Sequence, residues 1–218
     1  MKWNRIRDIS IYKTLFFNIH YFGIKSLCTL PVVVSKNVKL ASMHGSIHLN
    51  CGKPKRCGIR IGFPIVGIFD KKYERTIWDN RGVVEFKGPA IIGGGSRISN
   101  MGNLVFGTNT SITANTSIIC KKNIEIGNNC LFSWDILVMD TDFHSIKDTE
   151  GNILNPDHLI NIEDHCWIGC RSTILKGARI PKNSVIAANS VVTSMLCEEN
   201  AIYSSNSKII KHDIEWSI

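Results

Sequence analysis

Near the C-terminal end, apolar residues recur every six positions: Ile162, Ile168, Ile174, Ile180, Ile186 and Val192. Neither a helix, at 3.6 residues per turn, nor a single strand, at two, produces that period. A chain that winds in short flat segments, with a corner every six residues, does produce it. A second position keeps the same beat. Four residues after successive ladder members stand Cys166, Ser172, Ala178, Ser184 and Ser190, all small. The large apolar residue fills an interior, and the small one permits a tight corner.

The pattern is the hexapeptide repeat of a parallel β-helix, and it predicts an all-β solenoid. Earlier stretches follow it with slips. Ile92, Ile98 and Leu104 form one set, with Ser96, Gly102 and Thr108 at the small position. Phe106, Ile112, Ile118 and Ile124 form another, and Ile126, Phe132 and Val138 a third. The slips predict corners with an extra or missing residue. Between Pro31 and Ala90 the pairs Val38/Leu40, Ile47/Leu49 and Ile59/Ile61 read as short strands with alternate residues facing in. Lys71 to Arg75 reads as a solvated excursion.

The expected organisation is an N-terminal segment 1–30, a β-helix over 31–212 with a loop extruded at about 140–160, and a tail at 213–218. Segment 1–30 combines Lys2, Arg5 and Arg7 with Leu15, Phe16, Phe17, Tyr21 and Phe22. It has neither the roughly 20 apolar residues of a membrane span nor a signal-peptide core. Two readings stay open: a short helix capping the end of the coil, or an interfacial helix holding a cytoplasmic protein peripherally at the inner face of the membrane.

The net charge of +8, from 26 basic and 18 acidic residues, favours anionic partners. Nucleic acid is not among those expected, since no zinc finger, aromatic RNA-binding motif or long Lys/Arg run is present. Eight cysteines are scattered without a CxxC pair, so reduced thiols are expected and no metal site. Cys130 and Cys166 occupy small positions of the repeat, and Cys51 and Cys57 could be close.

The ladder breaks between Val138 and Ile162, and loops extruded from rigid scaffolds commonly carry function. The break begins with Asp140, Asp142 and His144, two apart. If the segment is still extended, all three side chains share one face. A histidine there can serve as a general base, with a carboxylate fixing its tautomer and stabilising the imidazolium.

These residues, with the run from Ile162 through Trp167 to Gly169 and the run from Ile186 to Thr193, resemble the left-handed β-helix acyltransferases. The nearest branch is that of bacterial O-acetyltransferases acting on sugars and cell-surface polysaccharide, and the resemblance covers about residues 80–212. It implies a left-handed coil, against the general preference for right-handed parallel crossovers. It also implies a homotrimer, acetyl-CoA as co-substrate without a metal, and a sugar or glycan acceptor. His144 would be the catalytic base, accompanied by Asp142 and Asp140, with a backbone amide of the neighbouring coil facing the oxyanion. Gly169, Cys170, Ala188 and Thr193 match positions that contact coenzyme A. Lys208 and Lys211 match basic positions near its phosphates. Trp134 and Asp135 would shape the acceptor pocket, or pack core and corner. The family's lysine after the threonine is here Ser194, and its G-N-P-A is here Ser204 to Ser207. The rival readings are a metalloenzyme resembling the γ-type carbonic anhydrases, whose H-x4-H pair this sequence lacks, and a non-catalytic subunit.

Overall fold

The computed structural model describes residues 7–50, 58–70 and 73–217. Lys2, Arg5, Cys51, Cys57, Lys71 and Lys72 lie outside the described residues. Successive strands fall in turn on three parallel sheets of nine, seven and six strands, the sides of a triangular prism. One turn consists of Thr110–Ala114 on the first sheet, Ser117–Cys120 on the second and Asn123–Ile126 on the third.

Strand register stacks the ladder residues on one another. Ile92, Ile112, Phe132, Ile168 and Ile186 lie in line on the first sheet. Ile98, Ile118, Val138, Ile174 and Val192 do so on the second. Each is at most 1% exposed, and the small residues Cys166, Ser172, Ala178, Ser184 and Ser190 are buried at the corners. The core is therefore a continuous apolar column built one turn at a time.

The slips have a different cause from the one expected. From Trp78 up to the loop a turn takes 20 residues, as from Ile112 to Phe132, and just above the loop 18, as from Ile168 to Ile186. The extra pair sits within a strand, not at a corner. On the third sheet Leu104 and Phe106 both point inward from Asn103–Phe106, as do Ile124 and Ile126 one turn on. A side that is two residues longer keeps the period-two alternation and resets the ladder by two.

Two of the corners require left-handed backbone. One stacks Gly95, Asn115, Asp135, Arg171 and Asn189, and another stacks Asn109, Asn129, His165, Asn183 and Asn200, all with φ between 48° and 77°. Asn and Asp tolerate this conformation best, which accounts for the asparagine-rich corners. Side-chain bonds run between turns there, as from Asn109 to Asn129 at 3.1 Å and from Asn115 to Asp135 at 2.5 Å.

At the N-terminal end, helix α1 (Ile11–Phe22) closes the column. Ser10 caps it by accepting from the Lys13 amide at 3.3 Å. Phe17 is fully buried against Trp78, ring centroids 5.6 Å apart. Thr14 and Asn18 bond the edge strand Val32–Val34. The Val34 amide donates to Thr14 Oγ1 at 3.0 Å, the Val32 amide to Asn18 Oδ1 at 3.2 Å, and Asn18 Nδ2 to the Val32 carbonyl at 2.7 Å. The helix thus satisfies backbone groups that an open sheet edge would leave free to pair with another chain. Gly23, at φ 73°, ends α1. No described helix is long and apolar enough to cross a membrane.

At the other end, Ile209–Lys211 pairs antiparallel with Ile202–Tyr203, breaking the parallel pattern. The following tail lies on a corner: Trp216 stacks on His165 at 4.2 Å and donates to its carbonyl at 3.0 Å.

Candidate active site

Leu137–Met139 on the second sheet is the last strand before the extruded loop, and Ile160–Ile162 on the third is the first after it. The chain does not stay extended between them. Phe143 adopts φ 58°, its amide donates to Thr141 Oγ1 at 3.0 Å, and the His144 amide donates to the Asp142 carbonyl at 2.7 Å. This sharp bend sends the three polar side chains to different places, so the expected shared face does not exist.

Asp140 is fully buried and points back at the turn below. Its oxygens accept from the amides of Lys121 at 2.7 Å, Lys122 at 2.8 Å and Asn123 at 2.8 Å. It therefore caps a corner and does not orient His144. Asp142 faces outward and accepts from Lys176 Nζ at 2.5 Å and Asn155 Nδ2 at 2.7 Å. These bonds, that from Lys176 above all, hold its carboxyl below the ordinary value. His144 lies exposed beside them. Its carbonyl accepts from Asn155 Nδ2 at 2.9 Å, and its ring has no hydrogen-bond partner among the described residues.

The loop base is thus fastened on two sides. From the turn below, Lys121 pairs with Asp157 at 3.1 Å, and Lys122 Nζ reaches the Asp157 carbonyl at 3.0 Å. From the turn above, Lys176 reaches Asp142 and the Asn155 carbonyl, the latter at 2.9 Å. The Asp157 carboxyl is also held low, first by its bond to Thr141 and then by Lys121. The sequence reading missed Lys121, Lys176, Asn155 and Asp157. A usable signal existed for Lys176: Val138 and Ile174 belong to one ladder, so residues two beyond each, Asp140 and Lys176, share a corner.

Lys176→Met should make the loop more sensitive to limited proteolysis while leaving the melting temperature nearly unchanged, because partly exposed ion pairs contribute little to global stability. Both aspartates are depressed, so their contribution is fully present above the ordinary carboxylate value of 3.8 and disappears only as pH falls through their lower folded values. Hydrogen exchange across 140–159, corrected for intrinsic rates, should stay flat from neutral pH down to that point and rise below it.

The remaining candidates separate by corner. Trp134, Asp135, Gly169, Cys170 and Ala188 gather where the first sheet turns into the second, with the Arg171 amide on the Trp134 carbonyl at 2.9 Å and the Asn189 amide on the Cys170 carbonyl at 2.8 Å. Asp135 is tied into that corner by Asn115. Gly169 is buried between turns; a Cβ there would stand 2.6 Å from the Ala188 amide nitrogen, so glycine is required by close backbone approach. Cys170 is half-buried and Ala188 exposed. Thr193, also exposed, follows Val191–Val192 at the opposite end of the second sheet, toward the corner of the loop. Lys208 and Lys211 are exposed on the C-terminal hairpin. Within one chain Trp134, Asp135, Gly169, Cys170 and Ala188 thus lie at a different corner from the one that carries His144, whereas Thr193 lies on the loop's own side. The two departures from the family pattern do meet: Ser194 and Ser207 hydroxyls are 3.1 Å apart. No group of three His, Cys, Asp or Glu residues placed to hold a metal occurs among the described residues.

Residues 160–194 match a family model described as the hexapeptide repeat of succinyl-transferase. The chain superposes on the crystal structure of the polySia specific acetyltransferase NeuO with a TM-score of 0.53 and 22% identity, over 86% of this chain and 79% of that one. The fold is a left-handed parallel β-helix of hexapeptide repeats with a short N-terminal helix. Two curated relatives are O-acetyltransferases. A galactoside O-acetyltransferase of Lactococcus lactis subsp. lactis (strain IL1403) is 33% identical over 92 residues, 42% of this chain and 44% of that protein. A polysialic acid O-acetyltransferase of Escherichia coli O1:K1 / APEC is 29% identical over 135 residues, 61% of this chain and 42% of that protein. The chain spans under half the length of these two relatives. Its hexapeptide-repeat core, from the loop's return to Thr193, contains Gly169, Cys170 and Ala188 among the matched residues.

Proposed function

We propose that this hexapeptide-repeat protein is an acetyl-CoA-dependent O-acetyltransferase acting on a sugar hydroxyl of a cell-surface polysaccharide or its lipid-linked precursor. The observation that carries this reading is His144: an exposed imidazole with both ring nitrogens available, on a bend clamped from the turns above and below. An imidazole on a rigid base is suited to serve as a general base.

In the proposed reaction, His144 removes the proton of the acceptor hydroxyl while that oxygen attacks the thioester carbonyl. The tetrahedral intermediate collapses with cleavage of the carbon–sulfur bond. Coenzyme A leaves as the thiolate and receives the proton from His144, and the acetyl ester remains on the sugar. Neither Asp140 nor Asp142 orients the ring; Asp142 acts through Lys176 and Asn155 to hold the bend. Cys170, Ala188 and Thr193 would line the arm of acetyl-CoA, and Lys208 and Lys211 would face its phosphates as point charges.

The separation of these groups on different corners supports a homotrimer in which each site lies between neighbouring chains. The loop's outward apolar residues Phe143, Ile146, Ile153, Leu154 and Leu159, each about half exposed or more, would seat against the next copy. The test is incubation of the purified protein with labelled acetyl-CoA and a panel of mono- and polysaccharides. Acceptor-dependent thiol release with label on the sugar is expected. Absence of both acceptor-dependent release and acetyl-CoA binding would overturn the reading in favour of a non-catalytic subunit.

A further inference from the structure

The fold consumes one face of α1 and leaves another uncovered. Thr14, Phe17 and Asn18 point into the prism, while Ile11, Tyr12, Leu15, Phe16 and Ile19 fall on a second arc of about 140° at 100° per residue. Ile11 and Tyr12 are 74% and 75% exposed, and Ile24, just beyond the helix, 73%. Tyr12 and Phe16 stack at 6.1 Å, forming a continuous aromatic surface. Capping the coil requires only the inner face, so packing does not account for the outer one.

Charge is segregated to the same end. Residues 1–69 hold 11 of the 26 basic residues and, in Asp8, one of the 18 acidic residues, a net +10; residues 70–218 hold 15 and 17, a net −2. The whole positive excess of the chain therefore lies in its first 69 residues. Arg7, Lys25, Lys36 and Lys39 are exposed there. Lys13 is not free, since its Nζ bonds the carbonyls of Lys36 at 2.7 Å and Val38 at 2.6 Å. His20 on the helix flank bonds the Met43 carbonyl at 2.7 Å.

We propose that α1 and the first turn form a docking surface for an anionic lipid bilayer, which the solenoid meets end-on. The apolar arc would enter the headgroup boundary, and the exposed lysines and arginines would face the anionic headgroups. In a parallel trimer the three cap helices would lie on one basal plane, so weak contacts would act together. This inference does not depend on the catalytic reading.

The test uses the full-length protein and vesicles of phosphatidylcholine, alone or mixed with phosphatidylglycerol. Co-sedimentation with the mixed vesicles only is expected, weakening with salt. A Leu15→Ser, Phe16→Ser double variant, altered at exposed positions and so keeping its melting temperature, should lose about ten-fold or more in partition coefficient. Equal binding by the variant, or no binding by the wild type, would overturn the proposal. So would a wild type of twice the variant's mass in lipid-free sedimentation, which assigns the face to a second copy. Binding of duplex DNA with no binding of vesicles would overturn it in favour of a nucleic acid.

Discussion

His144→Ala is expected to lower acceptor-dependent coenzyme A release by about two to four orders of magnitude, the range a positioned general base supplies. The fold should be unaffected, because the imidazole is exposed and bonds to none of the described residues. Far-UV spectrum, oligomeric mass and melting temperature should therefore match the wild type. The loss should fall on kcat, with acetyl-CoA affinity retained, since the proposed cofactor contacts sit on other residues. A variant that keeps full turnover would remove His144 from the mechanism. His144→Gln should be as inactive as the alanine variant, because an amide of similar size cannot accept the proton.

Asp140 should behave in the opposite way. Its fully buried carboxylate is the shared acceptor for the Lys121, Lys122 and Asn123 amides. Asp140→Ala leaves those donors without their acceptor, at about 1–3 kcal/mol for each that water cannot reach. A total cost of about 3–5 kcal/mol places it among the severe substitutions, with a melting-temperature drop of about 10 °C. Asp140→Asn keeps one acceptor oxygen but points a donor at an amide, and should fall between. Activity loss in Asp140→Ala should track loss of fold and recover on cooling. In His144→Ala it should not recover. Thermal melts run beside activity assays at two temperatures separate the two neighbouring residues.

These two positions also mark how far sequence patterns reach. Every member of the six-residue ladder from Ile162 to Val192 lies in the core, because one buried side chain per side is a constraint each turn must meet. It broke down between Leu104 and Phe106, where a longer side contributes two inward residues. Alternation then misled at Asp140, Asp142 and His144, because a spacing of two has meaning only while the backbone stays extended. The left-handed Phe143 that ends the extension carries no composition signal, since aromatic residues rarely adopt that conformation. Lys176 went unnoticed because the loop separates it by 34 residues from Asp142, its partner across one turn. The second face of α1 was legible only as a mixture of aromatic and basic residues; which of them the cap buries needed the packing to decide.

The order of strands on the second sheet has a metric consequence. Val38–Met43 is the first strand of that sheet, and Leu137–Met139, which leads into the bend holding His144, is the fifth. Four inter-strand spacings of about 4.8 Å put the strand that leads to the imidazole roughly 19 Å along the axis from the first turn. For a molecule standing end-on upon lipid, the solenoid is a ruler graduated in whole turns. It would select hydroxyls at a set height above the surface, and inserting one 20-residue turn below the loop would raise that height by a single graduation.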